Sequence, residues 1–326
     1  MNHFTRILRK LALASGAALL VAATAPSVWS QDRYPAEPIK LVVPYPAGGS
    51  ADLIARQFAE QLTKELGQPV LIDNRPGAAT NIGADAVVRS KANGYTLLFG
   101  SLLQVLNPIF GPAPSFNAGS ALEPVSLVAR MGFMLAANPK TSFSTGGELL
   151  AAAKATPGKL SVSHAQLDLF VDLLGSKASI DLLQVPYKGG APATTDAIAG
   201  QVNMVYALAP VLMPHVQAGK LKALAVSNGK RLDALPNVPT FAELGVDYDI
   251  SIWYGLLAPA GTPKAIVDRL SAATRKVMAL PELAQKVRAA GAEPASSKPE
   301  ELQAQLHRDT AFWQQVAKTL PSLVQK

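Results

Sequence analysis

The sequence has no cysteine, and this absence excludes several kinds of protein at once. It excludes disulfide bonds, thiolate zinc sites and a lipid-modified cysteine after export. Beyond the N-terminal segment, no run approaches the roughly 18 consecutive apolar residues that a transmembrane helix needs. The sequence also lacks the Gly-x-Gly-x-x-Gly, phosphate-loop and His-Glu-x-x-His motifs. Only four histidines are present, so histidine chemistry has few candidates.

The net charge is low for a nucleic-acid-binding protein. The formal charge of +7 includes three cations near the N-terminus, and subtracting these three leaves +4 for the rest of the chain. The basic residues are scattered and are not interleaved with aromatic residues. This pattern indicates no nucleic-acid partner, although a weakly cationic cleft would help to collect anions. No cofactor is expected.

The N-terminal segment has the pattern of a secretory signal peptide. Arg6, Arg9 and Lys10 precede an apolar run over residues 11–23, and small residues follow it. The run is too short for a mature membrane anchor. We therefore predict a signal peptide at 1–30 and a periplasmic location for the remaining chain.

A glycine-rich turn is the first motif that points to function. An apolar strand at 39–43 is followed by a Pro/Gly turn at 44–49 and a helix at 51–66, with Ser50 at the expected N-cap and Asp52 in the first turn. The first N–H groups of a helix lack intrahelical acceptors and carry partial positive charge, so they bind carboxylate or phosphate. Glycine lets a ligand approach that backbone closely. The alternative interpretation is an ordinary strand-to-helix turn with a good cap.

Strands and helices alternate along the rest of the chain, which indicates an α/β protein with parallel strand pairing. The pattern of strand, glycine turn and helix occurs in a first unit and begins again in a second one. We predict a first domain over 31–129 plus 255–326 and a second over 130–254, with crossovers near Ala129 and Trp253.

The C-terminal part is predicted to be helical. Thr262 and Pro263 suit the cap and the first position of one helix, and Ser297 and Glu300 have the spacing of a capping box before another. Both helices are amphipathic and need a sheet to cover. Because the middle unit has helices of its own, we expect the C-terminal helices to fold back on the first unit.

Several short motifs resemble the Bug family over nearly the whole chain. They include Pro44-Tyr45-Pro46-Ala47-Gly48-Gly49-Ser50-Ala51-Asp52, Asn74-Arg75-Pro76-Gly77-Ala78, Val185-Pro186-Tyr187-Lys188-Gly189 and Gly255-Leu256-Leu257-Ala258-Pro259. Bug proteins are periplasmic solute receptors associated with tripartite tricarboxylate transporters. The resemblance implies a type II two-domain periplasmic-binding-protein fold, with each domain a sheet flanked by helices and a carboxylate held in the cleft between them. It also implies a monomeric receptor that delivers its ligand to a membrane permease, and not an enzyme.

The resemblance also implies which residues bind the carboxylate. Backbone amides of the turns at 45–50 and 78–81 would receive it, and Tyr45 would line the cleft. The expected binding residues are Tyr45, Ala47, Gly48, Gly49, Ser50, Ala78, Ala79, Thr80, Asn81, Ser101, His164 and Tyr206. No catalytic residue and no metal ligand is expected.

Four positions or segments depart from the family pattern. The segment at 161–168 is shortened, the stretch at 101–108 is altered, Ala79 stands where glycine is frequent, and Tyr206 begins a segment that commonly carries a polar residue in relatives. We therefore predict a less polar pocket, which suits an aromatic or aliphatic carboxylate better than a hydroxylated tricarboxylate. Loss of the ancestral site is the alternative.

Three other functions are open. A secreted ligand sensor would use the same fold and feed a signalling system. A serine hydrolase would use Ser50, because Gly48-Gly49-Ser50-Ala51-Asp52 nearly matches the nucleophile elbow, although the final glycine is missing. His164 is the histidine expected near a cleft loop, where a structural role is commoner than a catalytic one. A structural protein without a ligand would have a dry or closed cleft.

Overall fold

The structure is a computed structural model that describes residues 34–111, 114–116, 118–165, 167–289, 291–321 and 324. The predicted signal peptide lies outside these residues. The chain separates into Met1–Ala36 and a compact unit, Glu37–Lys326, which contains the helices and strands that follow. Within the described residues, we find no helix with the length and apolar character needed to span a bilayer.

Strands and helices alternate as the sequence predicts, so the α/β class is confirmed. The strands are β1 (Ile39–Val43), β2 (Val70–Asn74), β3 (Thr96–Ser101), β4 (Leu122–Ala137), β5 (Ser161–Ala165), β6 (Leu183–Tyr187), β7 (Met204–Leu208), β8 (Lys222–Val226), β9 (Ser251–Pro259) and β10 (Glu293–Pro294). The helices are α1 (Ser50–Leu66), α2 (Asn81–Val88), α3 (Leu103–Phe110), α4 (Ala118–Ala121), α5 (Gly146–Ala155), α6 (Asp168–Ala178), α7 (Gly190–Ala199), α8 (Ala209–Gln217), α9 (Lys264–Met278), α10 (Pro281–Ala289) and α11 (Pro299–Thr319).

The long strand β4 joins two sheets. Its first part, as far as Gly132, pairs antiparallel with β9, and its last part, from Phe133, pairs antiparallel with β7 and β8. The strand order is β2-β1-β3-β9-β4 on one side and β4-β7-β5-β6 on the other. Within the first sheet β1 is parallel to β2 and β3, and within the second β5 is parallel to β6 and β7. Ligands gather at the carboxyl ends of parallel strands, so these ends are the first place to look for a site.

Ser227 forms four hydrogen bonds at the point where β4 passes from one sheet to the other. Its Oγ accepts the N–H of Phe133 at 2.7 Å and donates to the carbonyl of Ile250 at 2.5 Å. Its backbone N–H donates to the Phe133 carbonyl, and its own carbonyl accepts the N–H of Ile250, both at 2.9 Å. Ser227 is fully buried, so these bonds do not compete with water.

The C-terminal helices pack on the first sheet. Helix α9 lies against α1 and β4, and α11 lies against β4 and α3. Lys276 on α9 pairs with Glu65 on α1 at 2.7 Å, and the indole N–H of Trp253 on β9 donates to Asp309 on α11 at 2.8 Å. The residue boundaries of the two domains stay a prediction.

Candidate functional site

The turn between β1 and α1 is an exposed loop with a left-handed glycine. Ala47, Gly48 and Gly49 are exposed, and Gly48 has φ 83°, a conformation that favours glycine. The predicted N-cap at Ser50 is wrong by one residue. The chain is extended at Gly49, with φ −75° and ψ 168°, and is helical from Ser50 onward, so Gly49 is the N-cap. The side chain of Ser50 lies outside what the structure describes.

A buried carboxylate holds this turn from the inside. Asp52 is 2% exposed, and its Oδ2 accepts the N–H of Gly48 at 2.8 Å and the Nε–H of Arg56 at 2.9 Å. Its Oδ1 accepts an N–H of Asn74 at 2.9 Å, and the same Asn74 amide nitrogen donates to the carbonyl of Tyr45 at 3.1 Å. The sequence placed Asp52 in the first helical turn but gave no sign of these contacts with β2 and the loop.

Hydrogen bonding keeps the pKa of Asp52 below its ordinary value. Burial alone would raise this pKa, but hydrogen bonds from Arg56, Gly48 and Asn74 and the charge of Arg56 together outweigh burial. The carboxylate is therefore ionised at neutral pH. Because Asp52 already accepts the N–H of Gly48, a ligand would have to bind other amides of the turn.

Tyr45 connects the first turn to the end of β3. Its hydroxyl donates to Oγ of Ser101 at 2.7 Å, and its ring meets Tyr254 edge-on at 5.8 Å between centroids. Tyr254 in turn stacks on Phe99 at 5.2 Å. Burial raises the pKa of Tyr45 to about 12 although the Ser101 hydrogen bond acts in the opposite direction, so the hydroxyl stays protonated at neutral pH.

The second predicted turn has an unusual backbone. Ala78, Ala79 and Thr80 have φ values of 46°, 49° and 81°, in the left-handed region that non-glycine residues rarely adopt. Ala78 and Ala79 are exposed, whereas Thr80 is buried. Two side-chain amides of α3 contact this turn, those of Gln104 and Asn107.

The predicted residues of the first sheet therefore form one cluster. Tyr45 bonds to Ser101, the N–H of Ser101 donates to Oε1 of Gln104 at 2.5 Å, and Nε2 of Gln104 donates to Oγ1 of Thr80 at 3.1 Å. This chain of hydrogen bonds connects the turn after β1 with the turn after β2. Gln104 was not among the predicted binding residues, and its only sequence signal was its place in the altered stretch at 101–108.

The other two predicted residues, His164 and Tyr206, lie in the second sheet and are fully buried in this conformation. Nδ1 of His164 accepts the N–H of Leu167 at 3.2 Å, and its Nε2 is 4.0 Å from Oδ1 of Asp168. The Tyr206 hydroxyl lies 2.6 Å from that of Tyr248. Burial, followed by the neighbouring Tyr248, raises the pKa of Tyr206 well above its usual range, so the phenol is protonated.

Strand register brings the carboxyl edges of the two sheets near each other. Ser101, at the end of β3, pairs with Tyr254, which pairs with Ala129 of β4. Leu208, at the end of β7, pairs with Phe133 of β4. Four residues of an extended strand span about 14 Å, so the carboxyl ends of β3 and β7 reach the same junction.

Two cavities are lined by residues of β9 and α11 together with other elements. One of about 690 Å³ lies between α3 and α11 and is lined mainly by apolar side chains. One of about 220 Å³ lies at the crossover and is lined by Arg130, Asp249 and Asp309 among others. Neither is lined by a predicted binding residue. The part of the chain that the structure describes contains no cluster of three His, Cys, Asp or Glu residues suited to a metal ion.

Comparison with known proteins identifies the family. The family described as "Tripartite tricarboxylate transporter family receptor" matches residues 54–320. Protein BugT of Bordetella pertussis is 34% identical over 291 residues, which cover 87% of this chain and 89% of BugT. The solved structure of R. palustris Rpa4515 with adipate is 31% identical, with a TM-score of 0.78 over 88% of this chain and 98% of that chain. MatC from Rhodopseudomonas palustris with bound malate is 27% identical, with a TM-score of 0.73 over 87% and 99%.

These matches confirm the resemblance that the sequence motifs indicated, and they confirm the two-domain periplasmic-binding-protein fold. The family match begins within α1, covers β2 to β10, and includes the C-terminal helices α9, α10 and α11. The chain belongs to the tripartite tricarboxylate transporter family receptors, the group of solute-binding proteins that includes the Bug proteins.

Proposed function

We propose that this chain captures a small carboxylate between its two sheets and delivers it to a tripartite tricarboxylate transporter permease. One observation carries the proposal: two backbone turns, at 45–49 and 78–81, are joined by hydrogen bonds at the carboxyl edge of the first sheet, and each has an exposed part, 47–49 and 78–79. The family match and the adipate and malate in two similar proteins support the same class of ligand.

The proposed contacts use backbone amides more than charged side chains. The start of α1 offers N–H groups with partial positive charge beside two glycines. A hydrogen bond to a charged group is worth about 1.5–3 kcal/mol net, and micromolar affinity corresponds to about −8.2 kcal/mol. A few such bonds, together with the desolvation of the cleft, would supply this affinity after the entropy cost of closure.

Closure of the two sheets on the ligand would provide the signal to the partner. The connecting segments lie side by side, because Arg130 of β4 pairs with Trp253 of β9. A ligand that contacts both sides stabilises the closed form in proportion to its higher affinity for that form. We propose 31–129 plus 255–326 and 130–254 as the moving domains. The alternative partner, a sensor kinase, would read the same closure.

We further propose that the ligand is an aliphatic or aromatic acid and not a hydroxylated tricarboxylate. The hydroxyls of Tyr45 and Ser101 are bonded to each other, and that of Tyr206 lies against Tyr248. Leu102 and Ala209, which follow β3 and β7, are apolar. Few polar side chains are thus left for the hydroxyl groups of a ligand such as citrate.

A thermal-shift screen of residues 31–326, refolded once to remove carried-over ligand, tests the ligand class. The compounds would be adipate, malate, citrate, benzoate and acidic amino acids. Millimolar ligand with a micromolar Kd adds roughly 4 kcal/mol to the stability of the native state. We expect clear shifts with adipate or benzoate and little with citrate. A large shift with citrate alone would refute the hypothesis of a less polar pocket. No shift with any acid would refute the proposed receptor function.

A charge-insertion variant tests the position of the site. Gly49 has an ordinary extended backbone, and a Cβ there would lie 3.5 Å from the Pro46 carbonyl, so Gly49→Glu fits the fold. Its carboxylate would repel a ligand carboxylate at the start of α1. Gly147→Glu is the control, since a Cβ at this exposed helix position meets nothing within 4 Å. Ligand affinity should fall by about 100-fold or more in Gly49→Glu, equivalent to about 2.7 kcal/mol, and stay unchanged in Gly147→Glu.

We propose that the protein acts as a monomer in the periplasm and has no enzymatic activity. N-terminal sequencing of the exported chain and light scattering would test the first two points. An esterase assay of the wild type and Ser50→Ala would test the third. Turnover that disappears with Ser50→Ala would establish the hydrolase instead.

A further inference from the structure

The turn at Ala78–Thr80 is held in a conformation that its sequence disfavours. Among the described residues, four non-glycine positions have positive φ, and three of them are consecutive here. Alanine and threonine carry a Cβ that crowds the backbone in the left-handed region. Such a turn persists only when its surroundings fix it, and conformations of this kind cluster at functional sites.

Two amide side chains of α3 fix this turn. Nδ2 of Asn107 donates to the carbonyl of Ala79 at 2.6 Å and to Oδ1 of Asn81 at 2.9 Å. Nε2 of Gln104 donates to Oγ1 of Thr80 at 3.1 Å. Gln104 and Asn107 are three residues apart on one face of α3 and are only 5% and 3% exposed. Buried hydrogen bonds meet little competition from water, so both amides hold the turn firmly.

The Asn107 bond sets the direction of one backbone amide. The carbonyl of Ala79 and the N–H of Thr80 belong to the same planar peptide unit and point in opposite directions. Because Asn107 draws that carbonyl toward α3, the N–H of Thr80 must point away from α3. A rotation of this peptide unit would break the hydrogen bond from Asn107 to the Ala79 carbonyl and reverse the direction of the Thr80 N–H.

Gln104 also connects this turn to the turn after β1. Its Oε1 accepts the N–H of Ser101, whose Oγ accepts the Tyr45 hydroxyl. The same side chain therefore contacts Thr80 on one side and supports the Tyr45–Ser101 pair on the other. The sequence of the surrounding stretch is apolar, with Leu102, Leu103, Val105 and Leu106, so these two amides stand out within it.

We propose that Gln104 and Asn107 are positioning residues of the carboxylate site. They hold the Ala79–Thr80 peptide in the one orientation that presents its N–H to the ligand, and they do not contact the ligand themselves. This inference rests on the proposed function, since it assigns the turn at 78–81 to carboxylate binding.

The test is Asn107→Asp. Aspartate keeps the shape of the side chain, but a carboxylate oxygen replaces the Nδ2 donor and faces the carbonyl oxygen of Ala79 and Oδ1 of Asn81. Asn138→Asp is the matched control. Asn138 is 4% exposed and follows β4, and its Nδ2 donates at 2.8 and 2.9 Å to the carbonyls of Ala197 and Ile198 on α7, a helix that packs on β5 and β7 of the second sheet. Both variants lose comparable buried bonds, so a purely structural role predicts the same behaviour for both.

Adipate is the probe, and calorimetry gives its Kd. We expect Asn107→Asp to weaken adipate binding by at least about tenfold, equivalent to about 1.4 kcal/mol, and Asn138→Asp to leave it within about twofold. Equal affinities in Asn107→Asp and the wild type, or an equal loss of affinity in Asn138→Asp, would overturn the proposal. If Asn107→Asp does not fold, Asn107→Ser gives the same comparison without the charge.

Amide hydrogen exchange separates this proposal from the proposed function. Exchange at residues 78–81 should accelerate in Asn107→Asp and not in Asn138→Asp, with or without ligand. If the wild type binds no acid but exchange accelerates as expected, the proposed receptor function is wrong, whereas the support of the turn by Asn107 is confirmed. If exchange at 78–81 is unchanged, the positioning role is wrong whatever the wild type binds.

Discussion

Removing the carboxylate of Asp52 should loosen the turn after β1 and destabilise the whole chain. In Asp52→Ala, the N–H of Gly48 and the amide of Asn74 both lose a charged acceptor, at 2.8 and 2.9 Å in the wild type. Asn74 also contacts the Tyr45 carbonyl, so its displacement should reach Tyr45. The substitution therefore affects the proposed binding turn from two directions.

The expected loss follows from two hydrogen bonds that the buried Asp52 carboxylate accepts, one from an exposed donor and one from a half-buried donor. Hydrogen bonds to a charged group contribute about 1.5–3 kcal/mol each, which sets an upper limit near 6 kcal/mol for the pair. Gly48 is exposed and Asn74 is half-buried, so both regain some bonds to water. We therefore expect about 2–4 kcal/mol of lost unfolding free energy. The contact with Arg56 adds little to this loss, because the Arg56 side chain is half exposed.

Urea denaturation followed by circular dichroism measures this loss, and Asp85→Ala is the control. Asp85 pairs with Arg89 at four residues' separation, as Asp52 does with Arg56, but its side chain is 30% exposed and its other partner is the Ser115 hydroxyl, in a solvent-exposed bond. A surface pair contributes at most about 1 kcal/mol. If Asp52→Ala costs no more than Asp85→Ala, Asp52 does not hold the turn.

The pH dependence gives an independent check on Asp52. Its folded-state pKa lies below its ordinary value, so the unfolded state binds more protons in acid. Its stabilising contribution is fully present above the unfolded pKa, near pH 4, and is lost as pH falls through the lower folded pKa. The stability difference between the wild type and Asp52→Ala should be constant from pH 5 to pH 8 and shrink in acid. A difference that grows toward low pH would contradict this sign.

Two further predictions concern buried hydroxyls at the crossover and in the second sheet. Ser227→Ala should cost about 1–3 kcal/mol in urea denaturation, because the N–H of Phe133 and the carbonyl of Ile250 lose their buried partner; a cost below about 0.5 kcal/mol would contradict this. Tyr248→Phe should cost more than Tyr206→Phe, because the Tyr248 hydroxyl also donates to a backbone carbonyl of α6 while that of Tyr206 contacts only Tyr248 among the described groups. A larger loss in Tyr206→Phe than in Tyr248→Phe would contradict the hydrogen bond from Tyr248 to the Phe170 carbonyl.

The sequence predicted the elements of the first turn but not their exact caps. Alternating apolar segments and glycines were enough to place β1, its turn and α1. The caps shifted by one residue because the backbone path decides them. Ser297, for example, was expected to cap α11, but its hydroxyl accepts the N–H of Leu127 at 3.0 Å. The N-cap is Lys298, whose backbone N–H donates to Oε2 of Glu301 at 2.7 Å.

The contacts that shape the candidate site could not be read from local sequence. The bonds from Tyr45 to Ser101 and from Asn107 to Ala79 join residues 56 and 28 positions apart, and only the folded sheet brings them together. The left-handed turn also goes against the local preference of alanine. Ala79, in a place where glycine is frequent, was the single hint that the backbone there is unusual.

A crystal structure with the carboxylate that gives the largest thermal shift would show directly where the ligand binds. We predict a ligand carboxylate at hydrogen-bond distance, about 2.7–3.2 Å, from backbone N–H groups of the turns at 45–50 and 78–81. A carboxylate bound in the cavity between α3 and α11, with both turns free of ligand, would show that the proposed binding site is wrong.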